Sequence, residues 1–241
     1  MKTTIVIPTF NESENLPKLV AALISLPIPG LCLLIVDDNS TDGTGRLADE
    51  LAAKHAGRIE VLHRPGKMGL GTAYVTGFQM AVKAGADVVG QMDADFSHPP
   101  EKLVELAQAL KSCDVAVGSR YVPGGSVDKD WPIWRKMLSA FANWYARTIL
   151  GMALHDVTGG FRLYHKQVIQ KIPFDRIRSS GYIFQVETAY LMTLLAIKFQ
   201  EVPIYFAERR LGKSKMSFRI QVEAAFRVWQ LLWNYRDLRR S

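Results

Sequence analysis

Five short runs of β-branched and aliphatic residues recur along the first half of the chain, each followed by a segment of helical periodicity. They are TTIVIPTF (3–10), LCLLIVDD (31–38), RIEVLHR (58–64), DVVGQM (87–92) and DVAVGSRY (114–121). Runs this apolar suit strands buried on both faces, and strands that alternate with helices pair in parallel. The repetition restricts the chain to a doubly wound α/β architecture, a mostly parallel sheet flanked by helices. Asn11 is placed to cap the first helix, with Glu14 three residues on and Leu16, Leu19, Val20 and Leu23 forming one stripe. Further helices are expected at 44–55, through Tyr74, Phe78, Ala81 and Val82, and at 100–111. After Pro123-Gly124-Gly125 come a helix over 133–150, the stretch DVTGGFRLYH (156–165), a helix over 185–197, an extended stretch over 199–208 and a last amphipathic helix.

With 241 residues, 48% of them hydrophobic and 22% charged, the chain can fill one large core and carries no signature of disorder. A catalytic-sized unit over 1–212 and a C-terminal amphipathic helix over 213–241 are expected, the latter near a membrane-facing side. Thirty Lys and Arg against 23 Asp and Glu leave a net charge of +7, which favours an anionic partner. Nucleic acid is set aside, because no basic patch is interleaved with aromatics and no helix-turn-helix pattern appears. Cys32 and Cys113 lie in no motif, which fits a reducing compartment. The N-terminus runs straight into a strand. The most lipid-like stretch, 21–36, is broken by Pro27, Pro29 and Gly30 and falls short of the ~20 apolar residues of a span. A soluble or peripheral chain is expected, not an integral one.

Ligands of open parallel sheets bind beyond the carboxyl ends of the strands. There the sequence places Pro8-Thr9-Phe10-Asn11-Glu12, then Asp37-Asp38-Asn39, then Lys67 to Gly71, then Asp93-Ala94-Asp95. Asp93 and Asp95 repel each other unless a cation lies between them. A hard cation, Mg²⁺ or Mn²⁺, uses one or two carboxylates and completes its shell with water and phosphate oxygens, so a bound diphosphate is expected. His98 could serve as a ligand, but beside Pro99 it reads first as a turn residue. GKMGLG (66–71) departs from the P-loop pattern and reads equally as an anion-contacting loop or a tight glycine turn. RRLGKSK (209–215) gathers four cations around a glycine, either a solvated loop or a mobile lid that orders on anions.

Over 133–150, Trp134, Met137, Leu138, Phe141, Tyr145 and Ile149 share one face, with Lys136, Asn143 and Arg147 opposite and Arg135 and Ser139 on the flank. The last helix repeats the pattern with Phe218, Val222, Phe226, Trp229 and Trp233. Core burial is the first reading of such stripes, membrane contact the second.

IVIPTFNESENL, IVDDNSTDGT, GLGTAYVTGF, MDADFSHPPE, GSRY, DVTGGFR, GYIFQVE and RRLGKSK together resemble the polyprenyl-phosphate (dolichyl-phosphate) mannose synthases, inverting nucleotide-sugar glycosyltransferases of GT-A fold. The resemblance spans Ile5 to about Ser217. It implies that Pro8, Phe10, Glu12 and Asp38 surround the base and ribose, and that Asp93 and Asp95 hold the metal. Arg209 and Lys215 would close over the donor phosphates. Arg120, Arg135 and Ser139 would receive the acceptor phosphate. Lys67 and Ala94 join the donor set by position, and Asp95, Arg120, Arg135 and Arg209 are the expected catalytic group. Some relatives carry Gln where Ser97 stands, and many carry C-terminal spans.

The implied reaction moves mannose from GDP-mannose to a polyprenyl monophosphate on the cytoplasmic face of a membrane, with the protein peripheral and a separate membrane subunit as an optional partner. A UDP-glucose-dependent polyprenyl-phosphate glucosyltransferase and a non-processive polysaccharide glycosyltransferase are the alternatives. The Q-x-x-R-W motif of polysaccharide synthases is absent from the sequence.

Overall fold

The computed structural model describes residues 1–179, 181–208 and 218–239. All five expected runs are strands: β1 (Thr3–Thr9), β2 (Leu31–Asp37), β3 (Ile59–His63), β4 (Val88–Gln91) and β5 (Val115–Ser119). They alternate with α1 (Leu16–Ile24), α2 (Thr44–Lys54), α3 (Leu70–Lys83) and α4 (Lys102–Ala109). The second half adds β6 (Ser126–Val127), α5 (Ile133–Leu150), β7 (Arg162–His165), α6 (Lys166–Lys171), a 3-10 turn (Phe174–Arg176), α7 (Tyr182–Leu194), β8 (Phe199–Pro203), β9 (Tyr205–Phe206) and α8 (Phe218–Asn234).

Seven strands form one sheet in the order β3-β2-β1-β4-β7-β5-β8, and β6 pairs with β9 in a separate parallel ribbon. β7 runs antiparallel to both β4 and β5; the other pairings of the main sheet are parallel. Successive residues supply opposite faces. Val6, Leu34, Val36, Val89, Val115 and Val117 pack with α3, α5, α6, α7 and α8, while Ile5, Ile7, Leu33, Ile35, Val88 and Ala116 pack with α1, α2 and α4. Burial on both sides explains why the strands read as continuous apolar runs. From β1 the chain winds outward through β2 and β3, then returns to β4 on the other side of β1. That reversal opens a crevice at the carboxyl ends of β1 and β4. Val6 lies opposite Gln91, so Pro8 and Asp93 leave the sheet side by side.

Some expectations of local structure need correction. Asn11 does not cap α1, which starts at Leu16 with Asn15 in the cap position. Asn11 has φ 61°, outside helical space, and its Oδ1 accepts from the Thr41 amide at 2.9 Å, binding the loop after β1 to the loop after β2. Within 156–165, β7 begins at Arg162, and the Gly159 backbone lies close to the Asp156 carboxylate.

The largest correction concerns α5. Its expected core face points outward: Trp134, Met137 and Phe141 are 64%, 66% and 55% exposed, joined by Ile133 and Trp144. Only Tyr145 and Ile149 of that stripe lean on the core. Asn143, assigned to the polar face, is buried with Ala146 and Leu150. α8 packs beside α5 and α7 through Val228, Leu231 and Tyr235, and leaves Phe226, Trp229 and Trp233 exposed. The Phe218 and Val222 side chains lie outside the described residues. Trp229 Nε1 donates to the Tyr145 hydroxyl at 3.0 Å, which joins the two helices into one aromatic surface. Among the described residues, no helix is long and apolar enough to cross a membrane.

Close approach of α3 to the sheet depends on Gly77, where a Cβ would fall 2.4 Å from Val6 Cγ1. Gly77→Ala is expected to lower stability by about 1–3 kcal/mol through overpacking. Chemical denaturation reads this directly, and an unchanged midpoint would mean that α3 can lift without cost.

Candidate active site

Three loops at the carboxyl ends of β1, β2 and β3 are stitched together by short side chains. Asp37 Oδ1 accepts from Thr9 Oγ1 at 3.1 Å and from Ser40 Oγ at 2.6 Å. The amides of Asn11, Glu12 and Ser13 donate to Ser40 Oγ, Thr44 Oγ1 and Asp42 Oδ2 in turn. Partial burial would raise the Asp42 carboxyl, but hydrogen bonds from Thr44 and Ser13 outweigh it and hold the group at about 2. Pro8, Phe10 and Glu12 therefore sit on a braced platform. Lys67 Nζ lies 4.2 Å from the centre of the Phe10 ring, so the third loop folds over the first.

Asp38 stands in this platform, paired with a residue that the motifs do not reveal. Arg64 Nε approaches Asp38 Oδ1 at 2.8 Å at an angle too bent for a good hydrogen bond, and Nη2 donates to Oδ2 at 3.4 Å. Burial raises the Asp38 carboxyl despite the pull of Arg64 and of the Met68 and Gly69 amides. Arg64 Nη1 also donates to Thr72 Oγ1 at 3.0 Å, so one guanidinium ties β3 to the start of α3. The GKMGLG loop needs its glycines for space: Gly69 has φ 97°, and a Cβ on Gly71 would meet the Phe184 ring at 2.9 Å.

The acidic turn follows β4. Tyr74, fully buried in α3 and stacked on Phe184, donates to Asp93 Oδ1 at 2.9 Å. Burial and the Asp93 charge push the Tyr74 hydroxyl well up, so it stays a donor. Asp95 Oδ1 accepts from the Ser97 amide at 3.0 Å and from Ser97 Oγ at 2.6 Å. Ser97 thus orients Asp95. Ala94 packs its side chain into the core. Phe96 between them adopts φ 60°, a strained geometry for a bulky residue and one that accumulates at working sites. His98 is more than a turn residue. It is buried against Phe161 and Phe206, and its Nδ1 accepts the Asp93 amide at 3.2 Å. Burial lowers its pKa, which keeps that nitrogen an acceptor.

Across the crevice stands Arg120. Its Nε and Nη2 each reach an Asp156 oxygen at 2.7 Å, and its own amide donates to Asp156 at 3.0 Å. Both side chains are buried, 8% and 0% exposed. Burial alone would raise the Asp156 carboxyl; Arg120, helped by Arg162, holds it below the usual range. Arg162 is itself fully buried and donates to Thr188 Oγ1 and to the Val157 and Gln185 carbonyls.

Arg135 and Ser139 come from α5. Ser139 Oγ accepts from the Tyr121 hydroxyl at 2.7 Å, and the Arg120 guanidinium lies 5.2 Å from the Tyr121 ring. Arg135 stacks 3.7 Å above Trp131 and pairs with Glu208 at 2.6 Å. Phe206 touches both Arg120 and Trp131, so the two arginines flank one aromatic wall. Arg209 and Lys215, with the rest of the basic loop, lie outside the described residues. Arg64, Trp131 and Glu208 escaped the motifs, and Asp156 stood in DVTGGFR without a role; charges paired far apart in sequence carry no local pattern.

Asp93 and Asp95 offer hard oxygen donors aimed by Tyr74 and Ser97. Among the described residues no three His, Cys, Asp or Glu gather into a metal-binding group. A two-carboxylate donor set fits Mg²⁺ or Mn²⁺ that shares its shell with a diphosphate, and does not fit a closed zinc cage.

An open sheet with an acidic turn at its switch point and anchored arginines facing it is the architecture of a GT-A glycosyltransferase. Solved structures agree in fold. Glucosyl-3-phosphoglycerate synthase from Mycobacterium tuberculosis, in complex with Mn²⁺, UDP and glucosyl-3-phosphoglycerate, superposes with a TM-score of 0.64 at 16% identity, over 97% of this chain and 79% of that one. Residues 1–349 of S. aureus TarS, in complex with UDP-GlcNAc, give 0.65 at 17% identity, over 97% and 67%. The model of Glycosyl transferase family 2 matches residues 4–173, and the chain belongs to that family. It is 46% identical over 228 residues to the polyprenol monophosphomannose synthase of Mycolicibacterium smegmatis, covering 94% of this chain and 85% of the relative. It is 44% identical over 241 residues to the undecaprenyl-phosphate mannosyltransferase of Micrococcus luteus, covering 99% and 98%.

Asn143 fixes how α5 meets this site. Its Oδ1 accepts from the Val157 and Thr158 amides at 2.9 and 3.3 Å, and its Nδ2 donates to Ser139 O and Thr158 Oγ1, both at 3.0 Å. Asn143→Ala would strand buried amides and is expected to cost about 2–4 kcal/mol. Thermal unfolding at matched conditions measures it; a change below about 0.5 kcal/mol would mean that water replaces the amide.

Proposed function

We propose that this chain transfers mannose from GDP-mannose to a polyprenyl monophosphate with inversion, releasing GDP. The observation that carries the reading is an oriented acidic turn, Asp93 and Asp95, together with two arginines held by carboxylates, Arg120 on Asp156 and Arg135 on Glu208. The named activities of the two full-length relatives support the same reaction class.

In this reading Pro8, Phe10, Glu12, Asp38 and Lys67 receive the base and ribose, with the Ala94 backbone beside them. Asp38 would act chiefly by holding the 66–71 loop through Arg64. Asp93 and Asp95 would hold Mg²⁺ or Mn²⁺, which supplies charge neutralisation for the leaving diphosphate. Arg209 and Lys215 would meet the same diphosphate. An oxygen of the acceptor phosphate attacks the sugar C1 as the bond from C1 to the diphosphate oxygen breaks, and GDP leaves with the electron pair. A phosphate monoester has its second pKa near ~6 and arrives largely ionised, so no general base is required. Arg120, immobilised by Asp156, and Arg135, with Ser139, align and neutralise the nucleophile.

The lipid tail stays in a bilayer, so its phosphate is reached only at the interface. The joint surface of α5 and α8 suits that place: Trp134, Met137, Phe141, Trp144, Phe226, Trp229 and Trp233 are all more than half exposed. Lys136, Arg147, Arg227, Arg236 and Arg239 lie on the same helices or just beyond them. Indole rings favour the headgroup level, and each cation near an anionic surface contributes about 1 kcal/mol. The protein would thus sit on the cytoplasmic face without spanning it, with residues 213–241 as its membrane-side unit.

A radiolabelled donor panel of GDP-mannose, UDP-glucose and UDP-GlcNAc with a polyprenyl phosphate tests the reading. Label should pass to lipid from GDP-mannose alone, stop with chelator and return with Mg²⁺ or Mn²⁺. Asp95→Ala should lower turnover at least ~100-fold. Transfer from UDP-glucose would reassign the donor, and full activity of Asp95→Ala in chelator would remove the metal.

A further inference from the structure

The two arginines assigned to the acceptor are held by carboxylates of opposite character. Asp156 grips Arg120 through three hydrogen bonds in a buried setting. A pair like that is not exchanged during turnover, since either charge alone would be stranded in the interior. Glu208 meets Arg135 at 2.6 Å, with side chains 43% and 25% exposed. Half-exposed pairs of this kind are weak and exchangeable. The backbone around Glu208 is fixed, however: its amide donates to Asp128 Oδ2 at 2.8 Å, and the Ala207 amide donates to Ser97 O at 3.2 Å. Only the Glu208 side chain needs to move. Arg135 stays on its Trp131 platform when it does.

We propose that Glu208 is an internal stand-in for the acceptor phosphate, occupying Arg135 between turnovers and yielding only to an anion that binds the guanidinium more tightly than a carboxylate does. The proposal rests on the reading of Arg135 as an acceptor-phosphate residue. The substrate is a monoester carrying roughly −1.5 to −2 at neutral pH, with three terminal oxygens. The product is a phosphodiester with one negative charge and two terminal oxygens. A dianion displaces a single carboxylate from a guanidinium far more readily than a monoanion does. Glu208 therefore yields to substrate and returns against product. A competitor at one arginine weakens monoester and diester by the same factor, so the tighter-binding monoester still displaces it while the weaker diester is released.

The test compares wild type, Glu208→Gln, Arg135→Ala and the double variant, using a short-chain prenyl monophosphate as acceptor and its mannosyl diester as inhibitor. Glu208→Gln removes the competing charge and keeps the shape. It should lower the acceptor KM and the product Ki by the same factor, roughly two- to fivefold, and leave the KM for GDP-mannose within about twofold. In the Arg135→Ala background the same substitution should do nothing to either acceptor-side constant. A purely structural clamp predicts the opposite sign, a higher acceptor KM on losing Glu208. If Arg135→Ala raises the acceptor KM while Glu208→Gln leaves it unchanged or raises it, the stand-in is wrong and Arg135 keeps its assignment. If Arg135→Ala leaves the acceptor KM unchanged, the assignment fails and the stand-in with it.

Discussion

The four hydrogen bonds of Asn143 decide which way α5, the longest helix among the described residues, faces. One buried amide satisfies both of its lone pairs and both of its N–H groups, on its own helix and on residues 157 and 158. Those residues adjoin Asp156, which holds Arg120, so helix, loop and arginine are set as one unit. With Asn143 inward, Arg135 and Ser139 turn toward the crevice and Trp134, Met137, Phe141 and Trp144 turn to the outside. The acceptor side of the proposed reaction and its membrane side are then two faces of α5. A helix facing the other way would bury the aromatics and lose both.

The same economy of charge runs through the crevice. Carboxylates converge where the strands end, and each has protein donors that orient it: Thr9 and Ser40 on Asp37, Arg64 on Asp38, Tyr74 on Asp93, Ser97 on Asp95, Arg120 on Asp156. Neutral hydroxyls serve the two carboxylates assigned to a metal, while guanidinium groups serve Asp38 and Asp156. A neutral donor fixes a carboxylate without cancelling its charge, which keeps it able to attract a cation. A guanidinium cancels the charge, which suits a residue whose task is to brace.

What could be read from the sequence follows from what is periodic or local. The five strands were legible because burial on both faces writes β-branched runs into the chain, and Asp93 and Asp95 because they end one of them. The stripe of α5 was legible as a stripe and misread in direction. Periodicity reports that a face is apolar and not what it faces, and the single Asn that reversed it looked like an ordinary polar residue. Asn11 was misplaced for a related reason, since a helix cap and a loop bridge use the same short amide. The pairings of Arg64, Asp156 and Glu208 stayed invisible because their partners lie 26, 36 and 73 residues away. Ser97, noted only for standing where some relatives carry Gln, proved to be the residue that aims Asp95.

The central claim, that α5 turns its aromatics to a bilayer while its other flank holds the acceptor arginine, can be measured with the chain's own tryptophans. There are five, Trp131, Trp134, Trp144, Trp229 and Trp233, and Trp131 is buried beneath Arg135. Single-tryptophan variants, the other four replaced by Phe, would be added to anionic vesicles containing polyprenyl phosphate and lipids brominated in the acyl chain. Fluorescence of Trp134 and Trp144 should be quenched and that of Trp131 spared. Unquenched Trp134 and Trp144 in vesicles on which the enzyme turns over would contradict the account and give the outward face of α5 to another protein.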